Sequence, residues 1–323
     1  MKPFKTHRQQ LNILRGRGLE IKDGSKSMRI LERENYYSLI NGYKDLFLLK
    51  DNDNKVIEPE KYINGASFDE IYGLYCFDRE LRSILLKEIL KFECNIKTRI
   101  AYSFSDKYRQ ENAYLNMTNY SRDPSQFKEI LKLISIIYNV IYRQSKKDNP
   151  IGHYLDKHEG VPLWVIVNYL TLGNIQNFYM CIDKALQNII AKEFSKQYKR
   201  SYGKNIFISP EILINILKTA TLFRNVCAHE ERLYNFKLNK PAKSGQVSKI
   251  LNIDNQLLNK GNLFSITVFL KLVLEKKEYK NFIRSLNRLF CQHSNKFKTV
   301  KMIDILDMMG FIEEWESIIM QND

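Results

Sequence analysis

The strongest constraint on the fold of this chain is one long apolar stripe. From about Ser67 to Tyr108, the residues Leu74, Phe77, Leu81, Leu85, Ile89, Phe92, Ile96 and Ile100 recur every three to four positions. That period puts them on a single helical face, so the segment predicts a long helix forming one wall of a bundle. Ser67 sits where an N-cap belongs, with Glu70 three residues on, which predicts a reciprocal capping box.

The same period runs through most of the chain and strand signals are scarce, so the expected fold class is all-α. Residues 1–50 predict two or three short helices, with Gly16 and Gly18 ending the first and Asp23-Gly24 turning into the second. A polar connector at 51–55 precedes the long helix. A second helix is expected after Asp123-Pro124, packing Phe127, Ile130, Leu131, Ile134, Ile137, Tyr138 and Ile141 inward. Pro162 opens a third, interrupted at Gly173. Ser209-Pro210 starts another, which reads as unbroken from Ile212 to Tyr234. The stretch 239–245 reads as a loop, and two or three helices follow. The expected organisation is a basic N-terminal helical extension (1–60), a helical bundle (61–240) and a C-terminal helical segment (241–323).

The 323-residue chain has 51 basic and 36 acidic residues, a formal charge of +15, which favours a polyanionic partner. Two clusters carry much of it. The first includes Lys2, Lys5, Arg8, Arg15 and Arg17; the second includes Lys276, Lys277, Lys280 and Arg284. Five widely spaced cysteines without a C-x-x-C pair predict buried free thiols in a reducing compartment rather than a disulfide framework. The opening residues lead into polar sequence, not an apolar signal core, and no apolar run is long enough to span a bilayer. A cytoplasmic protein with no membrane partner is expected, with no cofactor. His153 and His158 lie near Asp156, but the spacing matches no recognised ligand set, so no metal site is expected.

One segment combines groups suited to RNA phosphodiester chemistry: Arg224-Asn225-Val226-Cys227-Ala228-His229, continuing to Arg232. Histidine titrates near neutrality and can move a proton to or from a sugar hydroxyl. A permanently charged arginine can hold the phosphate on which negative charge grows. No metal is needed for that chemistry. On an ideal helix, Asn225 and His229 lie about 40° apart, Arg232 about 20° beyond Asn225, and Arg224 about 100° away from Asn225. One helix therefore does not aim Arg224 and His229 together at one phosphate, whereas two helices across a cleft do. Transesterification also needs both a base and an acid. A symmetric homodimer, or an intramolecular pair of helical domains, is the expected remedy. A second R-x4-H spacing, Arg288 to His293, lacks the asparagine and the small residue before histidine.

Arg224-Asn225-x-x-Ala228-His229 resembles the R-N-x-x-x-H signature of HEPN ribonucleases. Three further segments are similar to the Abi-like abortive-infection proteins of the AbiD/AbiF group. They are Lys2-Pro3-Phe4-Lys5-Thr6 with Arg17-Gly18-Leu19, Asn35-Tyr36-Tyr37 to Gly42-Tyr43, and Pro162-Leu163-Trp164 with Leu172-Gly173-Asn174. The resemblance implies a HEPN-like helical bundle, an endoribonuclease leaving a 2′,3′-cyclic phosphate, and a toxic role in phage defence. Arg224, Asn225 and His229 would be catalytic, Arg232 would grip a flanking phosphate, and Glu93 is an accessory candidate on an early helix. It also implies an RNA partner, either a target RNA or a cognate structured small RNA that restrains the protein.

Each residue also has a plainer reading. His229 can be a surface histidine, Arg232 can cover apolar surface with its stem, Cys227 and Ala228 can be packing residues, and Glu93 can pair with Lys97. The main rival is a non-catalytic RNA-binding protein using the same basic cleft. A helical DNA-binding regulator is a third reading, for which no short helix-turn-helix unit stands out.

Overall fold

In the computed structural model, which describes residues 3–158 and 160–321, two short N-terminal helices come first: α1 (His7–Gly16) and α2 (Gly24–Arg33). Thr6 caps α1 through a reciprocal box with Gln9, and the Asp23 carboxylate caps α2. They pack together through Leu11, Leu14, Ile30 and Leu31, all buried. Lys2 lies outside the described residues. An irregular stretch with single turns of π- and 3₁₀-helix follows, burying Leu39, Tyr43 and Phe47.

The predicted long helix is α3 (Phe68–Lys107), and all eight stripe residues are fully buried within it. At about 1.5–3 kcal/mol for each large apolar side chain removed from water, this stripe alone anchors the bundle. Ser67 is the N-cap, accepting the Glu70 N–H. The expected reciprocal half of the box is not formed. Glu70 Oε1 instead accepts the backbone N–H groups of Lys298 and Thr299 at 2.6 and 2.7 Å and the Thr299 hydroxyl at 2.9 Å. The start of α3 thus holds a segment 228 residues away.

Next come α4 (Phe127–Gln144), α5 (Pro150–Lys157), α6 (Leu163–Ile166), α7 (Leu172–Cys181), α8 (Lys184–Tyr202) and α9 (Pro210–Ala228). On α4 the buried residues are Ile130, Leu133 and Ile137, while Phe127, Leu131 and Tyr138 are exposed, so the inward face is rotated from the expected one. The break after Pro162 falls at Leu170-Thr171, where Thr171 and Asn174 form a capping box that starts α7. Gly173 does not break this helix. A Cβ there would stand 3.6 Å from Thr221 Cγ2 of α9, an ordinary contact, so Gly173 lies where α7 meets α9 and the space does not demand glycine.

Beyond residue 244 the chain is more finely divided than expected: α10 (Gly245–Leu251), α11 (Asn255–Leu258), α12 (Leu263–Leu270), α13 (Lys276–Ser294), α14 (Met302–Met309) and α15 (Trp315–Met320). α12 is buried along its whole length and α13 packs along α3. Among the described residues β-structure is limited to isolated bridges, so the fold class is all-α as expected. No described helix is long and apolar enough to cross a membrane.

Candidate functional site

The R-N-x-x-x-H residues sit at the end of α9. Ser209 accepts the Ile212 N–H and Pro210 occupies the first turn, so the helix starts as its sequence predicts. It ends earlier than predicted. Ala228 is the last helical residue, His229 is the C-cap, and Glu230 takes a left-handed backbone conformation with φ 56°. The Glu231 N–H then returns to the Val226 carbonyl at 3.0 Å, the long bond of a Schellman-type stop. Arg232 is consequently off the helix, and the expected shared edge with Asn225 and His229 is not formed.

Asp78 and Arg82 of α3, which the sequence reading missed, hold this turn in place. Both are buried, with an ion pair of 2.6 Å. Asp78 accepts the backbone N–H of Leu233 at 3.0 Å, that of Tyr234 at 2.7 Å and the Tyr43 hydroxyl at 2.7 Å. Arg82 donates to the Glu231 carbonyl at 3.2 Å and to the Tyr43 hydroxyl at 3.1 Å. Burial pushes the Asp78 carboxyl above its ordinary value, opposed by the Leu233 amide, the Arg82 charge and Tyr43. The Tyr43 and Tyr234 rings stack at 5.9 Å. Arg232 closes the far side, donating to the Gly42 carbonyl at 2.8 Å and pairing with Asp45 at 3.0 Å. It is a staple between two loops before it is anything else.

The motif side chains themselves are less engaged. Asn225 and His229 are exposed, and neither side chain makes a hydrogen bond to a described residue. Arg224 is half-buried, and its Nε is sealed from solvent without a partner. Cys227 is buried, and burial pushes its thiol up to about 12, so it packs as a thiol and is no nucleophile near neutrality. Ala228 is exposed, contrary to the packing role read for it. Of the other cysteines only Cys181 is buried; Cys94 and Cys291 are exposed, so the expectation of buried thiols holds for two of the five.

The remaining candidates are spread widely. Lys5, Arg8 and Arg15 are exposed on or before α1, and Arg17 pairs with Glu60. Lys276, Lys277, Lys280 and Arg284 line one open cavity of about 510 Å³ with Ser201 and Glu275. Glu93 pairs with Lys97 at 2.7 Å and makes no hydrogen bond or ion pair with the described motif residues. The second R-x4-H histidine, His293, is buried against Phe77 of α3 at 5.4 Å between rings, which excludes an exposed site there. Burial lowers its pKa, helped by Lys296.

These features define an all-helical protein whose R-N-x-x-x-H residues stand on an exposed helix end braced by a buried Asp–Arg pair. The chain belongs to the Abi-like protein family, whose family model matches residues 29–235. That match ends just past the braced turn and leaves the opening segment outside it. No curated protein and no solved structure matches the chain.

Proposed function

We propose that this protein is a metal-independent endoribonuclease of HEPN type, the toxic effector of a bacterial abortive-infection system. Membership of the Abi-like family supports the biological setting. The carrying observation is the exposure of the Asn225 and His229 side chains, free of internal partners, at a helix end whose following turn is bonded to Asp78 and Arg82. An imidazole in that position is open to a strand in solution.

In the proposed reaction a neutral His229 accepts the proton of a ribose 2′-hydroxyl. The 2′-oxygen attacks phosphorus, the bond to the 5′-oxygen breaks, and a second imidazole returns a proton to that leaving oxygen. Arg224 neutralises charge on the non-bridging phosphate oxygens. One chain has one such histidine, so the active form is a homodimer with two motifs facing one cleft, or an equivalent paired domain. With a charge of +15, a structured small RNA is a fitting restraining partner, held until infection releases the protein.

The test is incubation of the purified protein with labelled single-stranded RNA in EDTA. Cleavage that disappears in His229→Ala supports the proposal. Tight binding without products supports instead a non-catalytic RNA-binding protein. Because the reaction takes one imidazole from each copy, an excess of His229→Ala chain mixed into the parent should suppress cleavage by forming dimers with a single histidine.

A further inference from the structure

The outer face of α3 carries a trough that the motif does not use. It starts at Ser83 and Leu86, next to Arg82, whose guanidinium touches the Glu231 carbonyl. It continues past Leu90 and Cys94 into a cavity of about 480 Å³ lined by Glu93, Lys97, Tyr102, Trp164 and Asn168. A second cavity of about 590 Å³ follows and shares Tyr102 and Trp164 with the first. On a helix rising about 1.5 Å per residue, Glu93 lies about 16 Å and Tyr102 about 30 Å from Arg82. The trough thus leads away from the His229 turn along one side of the bundle.

Three observations on its walls point to one kind of ligand. Tyr102 is 74 % exposed and Trp164 56 % exposed, so two large aromatic faces are open to solvent in one groove. Leu90, 45 % exposed, extends the apolar floor. Within this apolar setting Glu93 is only 7 % exposed; Lys97 holds its Oε1, while Oε2 has no hydrogen-bond partner. A buried carboxylate oxygen without a donor is costly, and the terminal torsion of a glutamate is soft enough to turn that oxygen toward an arriving N–H.

We infer that this trough holds an unpaired nucleobase, stacked on Trp164 and Tyr102 with an N–H edge donated to Glu93. An unpaired base offers a flat apolar face together with edge donors, whereas a duplex hides its base faces in the stack. Among the bases guanine fits best, because adjacent N1–H and N2–H groups can meet both oxygens of one carboxylate. Lys87 borders the end nearer the motif and suits the strand's phosphates, while Lys91 beside it is paired with Glu88 and Glu278. The inference rests on the RNA reading above and adds where, and through which base, a strand is held while its neighbour reaches His229.

Trp164 provides its own probe, because the other tryptophan, Trp315, is 8 % exposed. The full-length His229→Ala chain, unable to cut, is titrated with a single-stranded (AG)₄ RNA, an adenine octamer, a duplex of equal length, and guanosine monophosphate. Binding of (AG)₄ should shield Trp164 from acrylamide quenching and be several-fold tighter than binding of the adenine octamer. Trp164→Ala should weaken it about tenfold or more. Glu93→Gln should bring the affinities for (AG)₄ and the adenine octamer to about equality. Because Trp164 is largely exposed, a thermal melt matching the parent's will show that Trp164→Ala still folds. Equal shielding by the mononucleotide would assign the same base pocket to a free nucleotide rather than a strand. RNA binding that leaves Trp164 open to quencher, or a duplex that binds and shields as well as the single strand, overturns this inference alone. Absence of any RNA binding overturns the nuclease reading with it.

Discussion

The Asp78 carboxylate accepts the backbone N–H of Tyr234 at 2.7 Å, joining the long helix to a turn 156 residues later in the chain. That bond and the neighbouring ones from Leu233 and Tyr43 determine where the chain goes after His229. The proposed active turn is therefore positioned from α3, not only from its own helix.

Removing Asp78 should be severe. Asp78→Ala leaves Arg82 buried without its counter-ion and two backbone amides without an acceptor, a loss of about 3–5 kcal/mol. Asp78→Asn keeps the shape and one acceptor oxygen and should cost less. Urea unfolding of the two variants gives the comparison; equal, small losses would show that the pair does not brace the turn.

The stop at Glu230 carries a removable strain. A non-glycine residue in the left-handed region costs about 1 kcal/mol relative to glycine. Glu230→Gly should raise stability by up to that amount, read as a higher urea midpoint at unchanged slope. A lower midpoint would mean that the Glu230 side chain stabilises the turn in a way its backbone conformation does not reveal.

Much of this architecture is legible in the sequence. The stripe on α3 repeats for so many turns that no strand or loop competes with it, and Ser209-Pro210 marks the start of α9 by two independent signals. The end of α9 was not readable, because no glycine, asparagine or proline follows His229 and the stop comes from Asp78 and Arg82. Those two stand four apart on α3, a spacing shared by countless surface ion pairs, so their burial had no local sign. On α4 apolar residues cover two adjacent faces, and period alone does not say whether Phe127, Leu131 and Tyr138 or Ile130, Leu133 and Ile137 turn inward. Glu70 looked like half of a capping box because its second use, holding Lys298 and Thr299, depends on residues far away in the chain.

That second use makes stability depend on pH. Burial works to raise the Glu70 carboxyl, but the Thr299 and Lys298 amides outweigh it and hold its pKa below the ordinary value. A depressed carboxylate stabilises fully above the unfolded value of about 4.3 and loses that contribution as pH falls through the folded value. Acid unfolding followed in the parent and in Glu70→Gln should show a shallower pH dependence for the variant in that range. Superimposable slopes would remove Glu70 from the account.

His293 acts in a higher window. Its folded pKa is lowered, chiefly by burial, so the neutral ring is favoured in the fold and stability is complete above the unfolded value of about 6.5. As pH falls below that value and through the folded pKa, protonation should progressively loosen α13 from α3. His293→Phe, if it folds, should abolish this part of the pH profile; an unchanged profile would show that His293 does not couple to the packing of the two helices.

The most direct test of the central proposal is end-group mass analysis of RNA after incubation with the protein in EDTA. The account predicts 5′ fragments ending in 2′,3′-cyclic phosphate, formed by the parent and absent with His229→Ala. Intact RNA under conditions where the folded dimer binds it, or identical products from His229→Ala, would contradict it.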